Sequence, residues 1–178
     1  MKINYLLGYD NLKIYQDDSM FKFSIDSVLL PNFVTISKKT KKILDIGCGN
    51  GVIPIVLSTR TNALIDGVEI QKEVYDMAVK SIELNNLDNQ INIYNEDIKK
   101  YSEKQITDVY DTITCNPPYF KDNMVCNSNE AKTFARHEKS LNILLIDYYM
   151  NHLNCVNIMV QLFLYLVYHS LYLQLVKC

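Results

Sequence analysis

The chain has 178 residues, of which 48% are apolar and 21% are charged, and its formal net charge is −2 at pH 7. This composition excludes a disordered or collagen-like chain and predicts a globular domain with a hydrophobic core of its own. It also argues against a broad basic surface for nucleic acid, so any recognition of phosphate would depend on a local patch.

The cysteines and the amino-terminal stretch exclude further classes of protein. None of the five cysteines lies in a Cys-x-x-Cys pair, so neither a zinc site nor a disulfide framework is expected, and we predict no metal. Polar residues interrupt the stretch from Met1 to Tyr15 too early for a secretory signal. We therefore expect a cytoplasmic protein.

The first predicted strand and the turn that follows it run from Ile43 to Gly51, with the sequence ILDIGCGNG. Three glycines at alternate positions end the apolar run, and the next segment, VIPIVLSTR, is typical of a helix that tolerates Pro54 in its first turn. Such a turn lets a ligand approach the backbone, as in nucleotide-binding folds, although the glycine spacing differs from the dinucleotide fingerprint. Asp45, at the carboxyl end of the strand, could face a ligand ammonium group or ordered water.

Two further acids follow predicted strands. Glu69 ends the run ALIDGVEI at a position suited to binding a ribose diol, or alternatively supports the dipole of the helix QKEVYDMAVKSIELNN. Asp97 ends the third predicted strand, INIYNEDI, where it could accept a hydrogen bond from an adenine amine or could cap the short segment IKKYSEKQ. The alternation of strands and helices predicts a doubly wound, mostly parallel α/β sheet with its site along the carboxyl ends of the strands.

The run VYDTITC leads into the sequence Asn116, Pro117, Pro118 and Tyr119. Asn116 offers a side-chain carbonyl and Pro117, which lacks an N–H, offers its backbone carbonyl, so two acceptors can converge on one NH2 group. Pro118 stiffens the loop, and Tyr119 can stack on a planar group. These residues predict a catalytic site for a planar amine, because acceptors aimed at its hydrogens would localise the nitrogen lone pair in the transition state. A Pro-Pro turn that ends a strand is the alternative.

The series DIGCGNG, GVEI, NEDI and NPPY resembles the class I methyltransferases that use S-adenosylmethionine, and NPPY resembles their amine- and amide-methylating branch. The resemblance implies a Rossmann-like fold, which we expect to lack its last strands, and in-line transfer of a sulfonium methyl group to nitrogen. The cofactor-binding residues that it implies are Asp45, Gly47 and Gly49 for the methionine part, Glu69 for the ribose, Asp97 for the adenine, and in addition Ile70, Ile98 and Asn116.

Two more segments resemble the bacterial tRNA(Val) adenine-N(6) methyltransferases: FKFSIDSVLLPNF, which begins at Phe21, and ARHE, which begins at Ala135. This resemblance implies tRNA as the partner, a contribution of the first segment to the floor of the cofactor pocket, and Asp26 near the site. The substrate-binding residues that it implies are Phe21, Lys121, Arg136 and His137. The basic residues could instead belong to a solvated loop, and a structural ion pair is an alternative role for His137.

The end of the chain differs in composition from the rest, and we divide the sequence into a cofactor-binding core, residues 1–140, and an apolar tail, residues 141–178. The tail could supply the next helix and strand, a membrane span from Ile158 to Val176, or a truncated or frame-shifted ending. Gln161 and His169 interrupt the span and no cluster of Lys or Arg flanks it, which argues against a membrane protein.

Methylation of the exocyclic amine of adenine in tRNA is the function that these observations predict. A protein glutamine methyltransferase that acts on release factors is one alternative, since a carboxamide is a similarly poor nucleophile. A DNA adenine methylase is another. The third is a relic that keeps the cofactor motifs without activity.

Overall fold

In the computed structural model, which describes residues 2–17, 23, 25–104 and 110–116, two short strands precede an alternating series of strands and helices. All of the described residues fall within one compact unit. The elements in chain order are β1 (Lys2–Tyr5), β2 (Lys13–Gln16), α1 (Ile25–Phe33), β3 (Lys42–Ile46), α2 (Val52–Ser58), β4 (Leu64–Glu69), α3 (Lys72–Leu84), β5 (Ile91–Asn95), α4 (Ile98–Glu103) and β6 (Thr112–Cys115).

Strands β3 to β6 form a parallel sheet with the order β5-β4-β3-β6. The chain proceeds from β3 through β4 to β5 on one side and then returns to pair β6 with the other side of β3. The topological switch point therefore lies between β3 and β6, where doubly wound folds bind their ligands. The predicted α/β architecture with a parallel sheet is confirmed, and the carboxyl ends of all four strands share one edge.

The core lies between this sheet and the helices on one of its faces. Ile43, Ile65 and Ile91 are neighbours across β3, β4 and β5, and each is almost completely buried. Every residue of α2 from Val52 to Leu57 is buried as well, so this short helix is apolar all round. Strands β3, β4 and β6 and helix α2 are largely buried and therefore read as continuous apolar runs, which is why the sequence predicted them well.

The antiparallel hairpin of β1 and β2 was not predicted, and the strand at Ile43 that the sequence presents as the first is in fact the third. Side chains of α3 and of its C-cap residue contact this hairpin: the backbone N–H of Lys13 donates to Oδ1 of the C-cap Asn85 at 3.0 Å, and the N–H of Tyr15 donates to Oγ of Ser81 at 2.9 Å. These polar side chains thus accept the backbone hydrogen bonds that a further strand would otherwise accept. The spacing of apolar residues in the sequence does not indicate such contacts.

The predicted strand INIYNEDI is wrong at its carboxyl end. Strand β5 ends at Asn95, and Asp97 is the N-cap of α4, where its Oδ1 accepts a hydrogen bond from the backbone N–H of Lys99 at 2.8 Å. A side chain that satisfies a free N–H at a helix start favours the cap over the extended strand.

The predicted division after residue 140 and the candidate membrane span from Ile158 to Val176 lie outside the described residues. Among the helices that the structure does describe, none combines the length and the apolar character needed to cross a bilayer.

Gly67, in the middle of β4, marks the closest packing beside the glycine-rich turn. A Cβ atom built on it would lie 2.5 Å from Cδ1 of Ile93 and 2.9 Å from Sγ of Cys48. Side chains of the neighbouring strand and of the turn therefore occupy the space that a Cβ atom at this position would need, and they would have to shift to admit it.

We expect Gly67→Ala to reduce the free energy of unfolding by about 1–3 kcal/mol, the usual cost of overpacking. Ile93→Val removes the Cδ1 atom in the nearest contact, so the double variant should lose less than the sum of the two single variants. Urea unfolding of the four proteins measures this coupling. Strict additivity would show that the Ile93 contact is not the cause.

Candidate active site

The candidate site lies at the carboxyl edge of the sheet, where β3, β4 and β6 end side by side. Asp45 is paired in register with Thr114 on one side and with Gly67 on the other, and Ile46 is paired with Cys115. The residues that follow these strand ends therefore meet at the switch point. This edge is where the sequence predicts the site, and ligand binding there stays a prediction.

The turn after β3 is held by the neighbouring strand. The backbone N–H groups of Gly47 and Cys48 both donate to the carbonyl of Val68, at 2.9 and 3.1 Å. Gly47 and Gly49 have φ angles of 65° and 57°, which side chains rarely allow, and a Cβ atom on either would meet nothing within 4 Å. The glycines thus meet a conformational demand and border open space, where a ligand can approach the backbone.

Glu69 connects this turn to the next helix. One of its carboxylate oxygens, Oε2, accepts from the N–H of Gly49 at 3.1 Å, and the other, Oε1, accepts from the N–H of Gln71 at 2.8 Å. Since Gln71 is the N-cap of α3, the predicted alternative role of Glu69 at a helix amino terminus is seen in the structure. Binding of a ribose by Glu69 stays a prediction. The N–H groups of Gly49 and Gln71 fix the position of the carboxylate that would bind it.

Asp45 is completely buried, and its two oxygens differ. Oδ1 accepts from the hydroxyl of Thr114 at 2.6 Å, whereas Oδ2 has no hydrogen-bond partner among the described residues. Burial raises the pKa of Asp45 to about 8; the Thr114 hydrogen bond opposes this shift, and the charge of Glu69 adds to it. A buried carboxylate oxygen without a partner is costly, and a bound cation would remove that cost.

A second buried aspartate shows that the fold can satisfy such a group. Asp66 of β4 accepts from the hydroxyl of Tyr110 at 2.7 Å and forms an ion pair with Lys42 at 2.9 Å. Asn92 of β5 donates to its other oxygen at 3.3 Å. Both oxygens of Asp66 are engaged in structural contacts, whereas Oδ2 of Asp45, like Oγ1 of Thr112 on β6, has no hydrogen-bond partner among the described residues.

Asn116 is the first residue after β6, and its side chain contacts helix α1. Its Nδ2 atom donates to Oγ of Ser27 at 2.9 Å. The sequence directed attention to Phe21 and Asp26 in this segment and missed Ser27, which lies one position beyond Asp26. No local signal identified it, because Asp26 and Asn32 of the same helix are polar as well and 89 positions separate the two partners.

The remaining predicted cofactor residues lie on the β4 and β5 side of the edge. Ile70 follows β4 and is partly exposed, and Ile98 begins α4. Asn95, which the sequence did not single out, joins the two strand ends, since its Nδ2 donates to the carbonyls of Glu69 and Ile70 at 2.9 and 3.1 Å. A contact of Asp97 with adenine stays a prediction beside its observed role as a cap.

Several predicted residues lie outside the described part of the chain, so their placement is not tested. They are Phe21 on the amino-terminal side and Pro117, Pro118, Tyr119, Lys121, Arg136 and His137 beyond β6. Within the described ranges, no group of three or more His, Cys, Asp or Glu side chains could hold a metal ion.

The parallel sheet and the glycine turn beside the buried acids Asp45 and Glu69 are features of a Rossmann-like methyltransferase fold, and comparison with known families agrees. The model of the family described as methyltransferase small domain matches residues 15–146. The chain belongs to this family. Among solved structures, the methyltransferase domain of METTL16 superimposes with a TM-score of 0.54 at 19% identity, over 70% of this chain and 58% of that one, which shows a shared fold.

Curated relatives come from bacteria. A tRNA1(Val) (adenine(37)-N6)-methyltransferase of Photorhabdus laumondii is 38% identical over 148 residues, which cover 79% of this chain and 59% of the relative. A protein of the same name from Flavobacterium psychrophilum is 32% identical over 137 residues, which cover 76% of this chain and 58% of the relative. The chain thus spans less than two thirds of the length of these relatives.

The raised pKa of Asp45 makes stability depend on pH. The folded state holds a proton that the unfolded state releases near its ordinary pKa of 3.8, so the free energy of unfolding should fall as pH rises from about 4 to about 8. Asp45→Asn removes this proton, and its stability should decline less between pH 5 and pH 8, by an amount on the order of a few kcal/mol.

Urea unfolding at several pH values measures this difference. The exchange Asp88→Asn, at an exposed position, is the matched control and should follow the unmodified chain. If Asp45→Asn and the unmodified chain lost the same stability over this range, the proton would not reside on Asp45.

Proposed function

We propose that this protein transfers a methyl group from S-adenosylmethionine to the exocyclic amine of adenine in tRNA, and that it does so in the cytoplasm. The observation that carries the proposal is the buried, half-satisfied carboxylate of Asp45 at the switch point, between the glycine turn and Asn116. The names of the curated relatives support the substrate class.

The residues present fit this cofactor. S-adenosylmethionine carries an ammonium and a sulfonium group, and an ammonium group next to Oδ2 of Asp45 would supply the missing partner and favour the ionised form of the acid. In this proposal the carboxylate of Glu69, which the N–H groups of Gly49 and Gln71 hold in place, would also accept from the ribose diol, and the open space beside Gly47 and Gly49 allows close approach to the backbone. When bound, the cofactor supplies an electrophilic methyl group.

The residues of the chain would bind and orient the two reactants. The rigid turn and Glu69 hold the cofactor at the strand ends, while the carbonyl oxygen of Asn116 accepts from the substrate amine. Because the amine lone pair is delocalised into the adenine ring, an acceptor on its hydrogens stabilises the transition state more than the ground state. Pro117, Pro118 and Tyr119 complete the amine site in this proposal.

The RNA contacts in the proposal are local. With a formal net charge of −2, the chain has no general attraction for phosphate, so binding would depend on Phe21, Lys121, Arg136 and His137. Affinity that rests on a small number of phosphate contacts would decline gently with salt.

The first test uses the full chain. We expect calorimetry to detect binding of S-adenosylmethionine, and labelled methyl groups to pass to unmodified tRNA but not to a release-factor peptide or to DNA. Transfer to the peptide or to DNA alone would replace the substrate assignment with one of the alternatives. A folded protein that does not bind the cofactor would overturn the proposal, and binding without any transfer would indicate an inactive relic.

The second test concerns Asn116. We expect Asn116→Ala to keep most of the affinity for S-adenosylmethionine and to lower methyl transfer by about 100-fold or more, as the loss of a transition-state contact does. Asn62→Ala, at an exposed position before β4, is the matched control. Equal losses of affinity and of transfer would show that Asn116 mainly builds the cofactor pocket.

A further inference from the structure

We propose that Asn95 is a positioning residue for the nucleoside end of the cofactor, because its side-chain amide orients the backbone that holds the carboxylate of Glu69. The inference rests on the proposed function and adds a residue to which the sequence analysis gave no role. Two hydrogen bonds carry it: Nδ2 of Asn95 donates to the carbonyl oxygen of Glu69 at 2.9 Å and to that of Ile70 at 3.1 Å.

The orientation of the Asn95 amide follows from the chemistry of its partners. A backbone carbonyl accepts hydrogen bonds and cannot donate them, so only the nitrogen end of the amide, which carries two N–H groups, can face both oxygens. Asn95 is the last residue of β5 and is paired in register with Glu69, the last residue of β4. The amide therefore bridges two successive carbonyls where the neighbouring strand ends.

These carbonyls belong to the backbone that holds the Glu69 side chain. In a trans peptide the C=O and the N–H point in opposite directions, so the carbonyl of Ile70, directed at Asn95, turns the N–H of Gln71 away from it. That N–H donates to Oε1 of Glu69 at 2.8 Å, while the N–H of Gly49 donates to Oε2 at 3.1 Å. Asn95 thus orients one of the two N–H groups that fix the carboxylate proposed to bind the ribose.

Removal of the Asn95 amide should affect this peptide without separating the strands. The N–H of Glu96 also donates to the carbonyl of Glu69, at 3.2 Å, and β4 is paired with β5 along its length from Ile65 to Glu69. Asn95 is exposed, so water can replace its amide at the carbonyls, and the free energy of unfolding should change little. Water does not hold the peptide in one orientation, so the site should lose precision rather than stability.

The test compares two ligands that share the nucleoside and differ in the amino-acid part. S-adenosylhomocysteine carries both parts, whereas methylthioadenosine lacks the amino acid, and calorimetry gives the affinity of each for the full chain. Asn95→Leu, which has nearly the shape of asparagine without a donor, should weaken both ligands by the same factor, about 3- to 10-fold, the range expected for one hydrogen bond. Thermal unfolding is followed for each protein, and Asn95→Ala provides the same comparison if the leucine variant unfolds.

Asn92→Leu is the matched control. Asn92 lies on the same strand, is exposed and also donates through Nδ2 to β4, in this case to the side chain of Asp66 at 3.3 Å. The variant removes the same chemistry away from the strand ends and should leave both affinities unchanged. In a Glu69→Gln background, Asn95→Leu should weaken binding less than it does in the unmodified chain, because a residue that acts through the Glu69 carboxylate contributes less once that carboxylate is gone.

Kinetics separate positioning of the cofactor from a role in the chemical step. At saturating S-adenosylmethionine, Asn95→Leu should transfer methyl groups to tRNA at nearly the unmodified rate, while the cofactor concentration at half-maximal rate rises by about the same factor as the affinities fall. Unchanged affinities, a loss confined to S-adenosylhomocysteine, full additivity with Glu69→Gln, or a maximal rate that falls as far as the affinity would each overturn the inference.

The same measurements distinguish failure of this inference from failure of the proposed function. If the unmodified chain bound S-adenosylhomocysteine but not methylthioadenosine, the nucleoside end would contribute too little to binding, and the inference alone would be overturned. If it bound neither ligand, the proposed function would be overturned, and this inference with it. Binding of both ligands without transfer to tRNA would reject the proposed activity, and the affinities of Asn95→Leu would still decide the role of Asn95.

Discussion

The parallel pairing of β3 with both β4 and β6 is the constraint on which the site depends. It sets Asp45 beside Thr114 and Gly67 and directs the ends of all three strands to one edge. Because a shift of one residue would turn Asp45 to the other face of the sheet, the register itself is decisive. Buried isoleucines at neighbouring positions of β3, β4 and β5 support the register on that side of β3, so the packing of the core contributes to the geometry of the site.

The two buried aspartates differ in how completely the described residues satisfy their oxygens. Asp66 has a lysine, a tyrosine and an asparagine as partners, whereas Asp45 keeps one oxygen without a hydrogen bond among the described residues. The incomplete pairing of Asp45 therefore costs stability at the switch point, whereas the partners of Asp66 on the neighbouring strand prevent such a cost there. Such a loss is expected where a cationic ligand supplies the final contact.

The sequence predicted those features that arise from local pattern. Apolar runs predicted the strands of the parallel sheet, and Asp45 and Glu69 were correctly assigned to strand ends. The hairpin, the contact between Ser27 and Asn116 and the link through Asn95 depend on residues that are distant in the chain, and periodicity has no bearing on them. The predicted carboxyl end of β5 was wrong because a capping aspartate and a strand-ending aspartate occur in similar sequence contexts.

The placement of charge bears on both ligands of the proposed reaction, the cofactor and the RNA. A cationic cofactor and a polyanionic RNA need opposite fields, and both must approach the same edge of one sheet. Glu69 is buried at a strand end, and Asp45 beside it would ionise once a bound ammonium group favours its charged form, so that the cation would neutralise both acids at short range. Once they are neutralised, little of their negative field would extend to phosphates a Debye length away, so an acidic cofactor pocket is compatible with a nucleic-acid substrate even in a chain of negative net charge.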